Sequence, residues 1–300
     1  MIRALPPVVL GILSMLGLAF NTVFWCLLLL VPAVFKVLLP LDGVARVLNP
    51  WINGIASAWT SCNSWGMRAV TGVDWQAEGV DSLTYGDWYM VNCNHQTWVD
   101  IFVLQHVFNR RIPLLKFFLK QQLVYLPVIG LAWWALDFPF MKRHSRADLR
   151  KNPDLRNQDR DSARAACAKF AKSPTSVMIF VEGTRFTQAK HLAQSSPYQN
   201  LLAPKAGAMA MSLGAMGAQF HSLLDATIAY PDGVPSFWQY LCGQSSRAIV
   251  KVRHVEIPPE FCTGDYENDR AMRKTFHRWL EAMWKQKDQD LTAMLSTAPR

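Results

Sequence analysis

A histidine and an aspartate stand five positions apart in VNCNHQTWVD, residues 91–100, where an apolar run stops. His95 and Asp100 are the residue types of general-base chemistry. A neutral imidazole takes a proton from a nucleophile, and a carboxylate on its other ring nitrogen fixes the tautomer and stabilises the imidazolium that forms. The spacing alone is unspecific, and the same pair also reads as a helix-start histidine followed by an ordinary first-turn acid. Context sharpens it: the pair follows a strand-like run and opens a helical period, a place where loop residues are exposed and free backbone N–H groups gather. Cys93 would share a face with His95 on a strand and offers a second chemistry, a thiol nucleophile carrying an acyl group. Within an apolar run it reads more readily as a small buried thiol.

A second chemical stretch is FVEGTRFT, residues 180–187, which ends another strand-like run with Glu182, Gly183, Thr184 and Arg185. Glycine lets a backbone approach a ligand closely, and a guanidinium presents planar donors suited to phosphate oxygens. The alternative is a polar turn closed by an internal ion pair. Between the two stretches stand Lys120, in FLKQQLVYLPVIG, and Arg143, which ends FMKR; each also reads as a snorkelling cation beside a membrane. Two strand-to-helix turns, one with a base and one with an anion clamp, can meet at one edge of an open α/β sheet, where such folds place ligands.

The elements that must position these residues follow from the periodicity. WYMVNC (88–93), TSVMIFV (175–181), LLDATIAY (223–230) and AIVKVRHVEI (248–257) are β-branched or aromatic runs bounded by polar or turn residues, and they read as strands. Helical period occupies 97–108, about 159–172, 205–218 and 267–287. Alternation of this kind implies an α/β fold, a central mostly parallel sheet flanked by helices. The charged stretch 143–161 reads as a solvated loop.

Ahead of this lies VVLGILSMLGLAFNTVFWCLLLLVPAVF, residues 8–35, with no charged residue. As helix it would extend roughly 42 Å, beyond a hydrocarbon core of roughly 30 Å, which predicts an N-terminal membrane-embedded helical segment, either one tilted helix or a hairpin bent near Asn21 or Pro32. Cations cluster on its C-terminal side (Lys36, Arg46, Arg68) against Arg3 before it, which places the following chain in the cytoplasm. Residues 123–141 are apolar too, but Pro127, Gly130 and Asp137 interrupt them, so a buried or interfacial segment is expected there. The organisation expected is a membrane anchor over 1–45, an amphipathic connecting helix over 46–84 and a chemical domain over 85–300.

The chain has 300 residues, 51% of them hydrophobic, and a formal charge of +9. A disordered tail protein is excluded, and anionic partners are favoured. Nucleic acid is not expected, because the basic residues are dispersed and the chain is tethered. The six cysteines form no CxxC pair and no zinc-finger spacing, so no metal site is expected, and free thiols in a reducing compartment are.

The order NHxxxxD, K-x-x-L-x-x-x-P-x-x-G, F-x-x-R and F-x-E-G-T-R resembles the glycerolipid acyltransferase family, typified by 1-acyl-sn-glycerol-3-phosphate acyltransferases, over roughly residues 85–235. FFLKQQL, ALDFPFMKR and FVEGTRFTQAKH, with the N-terminal anchor, are similar more narrowly to the YihG-type inner-membrane acyltransferases of Gram-negative bacteria. The resemblance implies His95 as general base, Asp100 as its orienting acid, and Lys120, Arg143 and Arg185 as phosphate-binding residues. It further implies Glu182, Gly183 and Thr184 as a substrate-binding turn. No cofactor is implied; acyl-CoA or acyl carrier protein would be the co-substrate and a lysophospholipid in the bilayer the acceptor. Gln122 stands where many members have glutamate, and LLAPKAGAMAMSL with LLDATIAYPDG is more like the branch holding lysocardiolipin and lysophosphatidylinositol acyltransferases. For such a reaction the Gly183 amide is a candidate donor to the developing oxyanion.

Overall fold

A computed structural model describes residues 4–39, 41–141, 173–244, 247–266 and 268–296. Arg143, Cys167, the charged stretch 143–161 and the helical pattern at 159–172 lie outside the described residues. In chain order the elements are α1 (Pro7–Leu38), α2 (Asp42–Thr71), β1 (Asp74–Glu78), β2 (Tyr89–Cys93), α3 (Val99–Phe108), β3 (Leu115–Phe117), β4 (Leu119–Lys120), α4 (Ile129–Ala135) and β5 (Phe140–Met141). They continue with β6 (Ser176–Ile179), α5 (Gln188–Ala193), α6 (Gly207–Met216), β7 (Ser222–Ala229), α7 (Phe237–Leu241), β8 (Arg247–Val255), α8 (Glu260–Thr263) and α9 (Arg270–Ser296).

β2 is buried along all five residues and β7 along all but its first, because a strand in the middle of a parallel sheet is covered on both faces and has no wet side. The sheet runs β1-β8-β7-β2-β6-β3. Every neighbouring pair is parallel except β7 and β8, so the expected mostly parallel α/β architecture is the one observed. Alternate residues feed two cores. Tyr89, Val91 and Cys93 pack with α3 and Tyr240 of α7 on one face. Met90 packs with α6 and with Phe276, Leu280 and Trp284 of α9 on the other. β1 pairs with β8, so the sheet takes in chain ahead of residue 85.

The apolar N-terminal segment is one continuous helix, without a bend into a hairpin at Asn21 or Pro32. At about 1.5 Å per residue its 32 residues reach about 48 Å, and it is long and apolar enough to cross a membrane. After it the chain reverses into α2. The Nδ2 of Asn21 donates to Oδ1 of Asn63 at 2.8 Å and to the Trp59 carbonyl at 3.2 Å, which registers the two helices antiparallel. α4 fills the groove at one end of this pair, where Ala132, Ala135 and Leu136 pack on Cys26, Leu29, Ile52 and Ala56. Lys36 of α1 bonds Asp137 at 2.6 Å. The interrupted stretch 123–141 is therefore a packed segment and not a second span. Both long helices expose large apolar residues, among them Leu16, Phe20, Trp51 and Trp65, the kind of surface that marks a membrane or a partner.

Candidate active site

β2, β6 and β7 are neighbours and run parallel, so the loops after their C-terminal ends converge on one edge of the sheet. His95 follows β2, Glu182 and Arg185 follow β6, and Tyr230 follows β7. A parallel sheet delivers its ligand site at this edge because each strand hands over there to its crossover.

The Nδ1–H of His95 donates to Oδ2 of Asp100 at 2.8 Å. Asp100 is fully buried, and its Oδ2 also accepts the backbone N–H groups of Gln96 at 2.6 Å and Thr97 at 3.0 Å. The phenol of Tyr230 donates to Oδ1 at 2.7 Å. Four donors on one carboxylate leave it a single orientation. Phe180 stacks on the imidazole, with ring centroids 3.9 Å apart and planes 15° off parallel, and the His95 side chain keeps 13% of its surface open. Its Nε2 has no partner among the described residues, so one ring nitrogen is held and the other is free to take a proton.

The strand and loop after Ala226 act as a template for this turn. Asn94 mimics a ladder pairing, accepting from the Ile228 N–H at 2.9 Å and donating to the Ile228 carbonyl at 3.0 Å. The Thr97 hydroxyl donates to the Pro235 carbonyl at 2.6 Å. Neither Tyr230 nor these contacts are readable from local spacing; the only sequence signal is a polar or aromatic residue ending an otherwise apolar strand.

Glu182 does not face outward. It is buried, and its two carboxylate oxygens accept the backbone N–H groups of His95 at 3.0 Å and of Leu202 at 3.3 Å. Burial pushes its pKa up to about 7, against the opposing pull of those two amides. The alternative of an ion pair inside Glu-Gly-Thr-Arg is therefore not what the turn contains. Gly183 takes a left-handed backbone, φ +67°, and its N–H donates to the Phe180 carbonyl at 2.9 Å. The candidate oxyanion donor named from the sequence is thus already engaged in closing the turn. Arg185 is exposed and lies over the Trp98 ring, 5.0 Å from its centroid, and the Phe186 N–H donates to the His95 carbonyl at 2.7 Å, so the two turns brace each other.

Lys120 is exposed on β4, whose partner strand β5 ends two residues before Arg143. Its ammonium makes no hydrogen bond or ion pair among the described residues. The ring of Phe117 in β3 lies 6.2 Å from Phe180, which ties the chain leading to Lys120 to the aromatic wall behind His95. Cys93 is fully buried, and burial raises its pKa well above the ordinary thiol range. A thiol held neutral inside the core is a poor nucleophile, so the geometry favours the histidine chemistry over the cysteine one.

A family model described as Acyltransferase matches residues 76–230, a little over half of the chain. The chain belongs to the acyltransferase family. The match begins in β1 and ends at Tyr230, so it holds every residue of the two braced turns. Within the family, this acyltransferase chain is 24% identical over 184 residues to the mouse (Mus musculus) 1-acyl-sn-glycerol-3-phosphate acyltransferase gamma, covering 58% of this chain and 44% of that protein. It is 24% identical over 180 residues to the Arabidopsis thaliana 1-acyl-sn-glycerol-3-phosphate acyltransferase 3, with 55% and 44% covered. It spans less than half the length of these curated relatives. Its fold is similar to the crystal structure of the 1-acyl-sn-glycerophosphate (LPA) acyltransferase PlsC from Thermotoga maritima, with a TM-score of 0.55, 16% identity and 95% of each chain covered.

Proposed function

We propose that this chain is a membrane-bound O-acyltransferase that moves a fatty acyl group from a thioester to the free hydroxyl of a lysophospholipid, with 1-acyl-glycerol-3-phosphate as acceptor and phosphatidic acid as product. The observation that carries the proposal is the imidazole of His95, engaged at Nδ1 by a buried carboxylate and unpartnered at Nε2. The acceptor named in the relatives and in the structural neighbour supports the choice of a glycerol phosphate.

In this reading Nε2 takes the hydroxyl proton as the oxygen attacks the acyl carbon, while Asp100 stabilises the imidazolium. The C–S bond breaks as the tetrahedral intermediate collapses, and His95 returns the proton to the departing thiolate. No covalent enzyme intermediate is needed. Arg185, with Lys120 and Arg143, would hold the acceptor phosphate and so align its hydroxyl on His95; Gly183 and Thr184 would contribute the turn beneath it. Glu182 would act behind the site, holding the His95 backbone. The apolar faces of α1 and α2 would keep the site at a bilayer, the bacterial inner membrane, with the sheet domain on the cytoplasmic side.

The test is thiol release by purified protein from acyl-CoA and from acyl carrier protein, with and without lysophospholipids, and mass spectrometry of the lipid product. Acceptor-dependent release with a new ester supports the proposal. Release that ignores the acceptor would make the chain a thioester hydrolase, and lipid binding without release would make it a binding module; either result ends the transferase reading.

A further inference from the structure

The turn at 183–185 carries more positive charge than the sequence motif explains. The Nζ of Lys190, from the first turn of α5, donates to the Thr184 hydroxyl at 2.8 Å and to the Arg185 carbonyl at 3.0 Å. On the other side, the Lys205 side chain lies against Gly183: a Cβ built there would come within 3.2 Å of its Nζ and 3.3 Å of its Cδ. The backbone of Lys205 is pinned alongside, its N–H donating to the Val181 carbonyl at 2.7 Å. Two ammonium groups and the Arg185 guanidinium therefore border three consecutive residues.

None of these three cations has a carboxylate partner among the described residues. The acid nearest in sequence, Glu182, is turned inward onto the amides of His95 and Leu202. The amides of Thr184 and Arg185 likewise have no partner among the described residues. Cations gathered round one turn favour an anion among them, and guanidinium, ammonium and backbone N–H donors suit a phosphate. The turn adjoins His95 through the bond from Phe186 N–H to the His95 carbonyl.

We infer that Lys190 and Lys205 complete, with Arg185 and the amides of Thr184 and Arg185, a site for the phosphate ester of a substrate. This rests on the acyl-transfer reading and extends it to two residues that lie outside the motifs. Lys205 is the free ammonium of the site. Lys190 is fixed to the turn and lends it a permanent charge. Phosphate esters occur on both substrates, on the glycerol of the acceptor and on the carrier of the thioester, and the test separates them.

Lys205→Gln is the cleaner variant, since the Lys205 side chain makes no hydrogen bond among the described residues; Lys190→Gln and the double variant complete the set, and Lys205→Arg is the rescue. The expected result is a rise of about five- to tenfold in KM for one phosphate-bearing substrate in each single variant, with kcat within about threefold, and recovery in Lys205→Arg. A change in the KM of lysophosphatidate, with monoacylglycerol turnover unaltered, assigns the site to the acceptor. A change in the KM of the thioester assigns it to the donor. KM values of the double variant within twofold of wild type for both substrates would overturn the inference. A binding arm needs no turnover: glycerol 3-phosphate should raise the melting temperature of the wild type and raise it less in Lys205→Gln, and an equal shift in the two would also overturn it. Wild-type protein that binds phosphate and transfers nothing would defeat the acyl-transfer reading and leave the site standing.

Discussion

Tyr230 donates its phenolic hydrogen to Oδ1 of Asp100 at 2.7 Å across 130 residues of chain, while Oδ2 of the same carboxylate accepts from His95. Burial first, and then the adjacent Asp100 charge, raise the Tyr230 pKa well above the ordinary phenol range, so the group stays protonated and remains a donor. It draws negative charge away from the carboxylate face that meets the imidazole, and it locks that face in place. Tyr230→Phe keeps the ring and removes only the hydroxyl. Asp100 then loses the restraint on its Oδ1 side, and the carboxylate no longer holds the imidazole in one orientation. The loss of orientation should lower kcat by about tenfold, the scale of one hydrogen bond to a charged group. Steady-state kinetics on the variant and the wild type check it.

His95→Ala should cost about 10²- to 10⁴-fold in kcat, the usual worth of a positioned base, with little change in melting temperature because the ring is stacked at the rim of the core. Asp100→Asn should cost comparably in rate and also in stability. Its amide nitrogen would have to take either the Oδ2 place, facing the His95 ring and the two backbone N–H groups that now donate there, or the Oδ1 place, facing the Tyr230 hydroxyl that now donates. Steady-state rates and thermal unfolding measured side by side separate the two cases.

Cys93→Ala should retain most of kcat and accumulate no acyl-enzyme, because the thiol is buried and held neutral. The small cavity it leaves should lower stability by about 1 kcal/mol. Intact-mass spectrometry after mixing with a thioester, together with the turnover rate, decides the matter. Loss of nearly all turnover with a trapped adduct would transfer the chemistry to the sulfur.

Glu182 gives a stability signature. Its pKa stands at about 7 in the folded chain against an ordinary 4.5, so between those values the folded state binds more protons than the unfolded one. The protonated group favours folding below 4.5, and that advantage is lost as pH rises through 7. Relative to Glu182→Gln, which cannot titrate, the wild type should lose roughly 3 kcal/mol of unfolding free energy across this window. Denaturant titrations of both proteins at several pH values between 4.5 and 8 measure it.

The sequence made the centre of the sheet legible and its edges obscure, for one physical reason. β2 and β7 are covered on both faces, so burial writes itself into largely apolar runs, broken within the strands by Asn92, Asp225 and Thr227. β1 is the polar segment DWQAE with one partner strand, and β3 is three residues long, too little pattern to stand out. His95 and Asp100 could be named because one strand-to-helix turn holds both, His95 in the loop and Asp100 in the first turn of α3, and local spacing records what such a turn brings together. The inward turn of Glu182, the Tyr230 bond and the placing of Lys205 depend on contacts between chain segments 20 to 130 residues apart, and no local period encodes those. The engaged amide of Gly183 was hidden for a different reason: glycine at a turn announces a left-handed backbone without saying which way its N–H points.

Asp225, fully buried in β7, draws its cations from the last elements of the chain: the Nη2 of Arg253 in β8 at 2.6 Å and the Nζ of Lys287 in α9 at 2.8 Å. Asn92 of β2 reaches the same carboxylate at 2.8 Å. A carboxylate stranded in mid-sheet without these cations is strongly destabilising. As the chain leaves the ribosome, β2 and β7 therefore emerge long before the charges that let them lie side by side. The central pair should be the last part of the domain to settle, and the loop bearing His95 has no finished floor until the C-terminal helix docks.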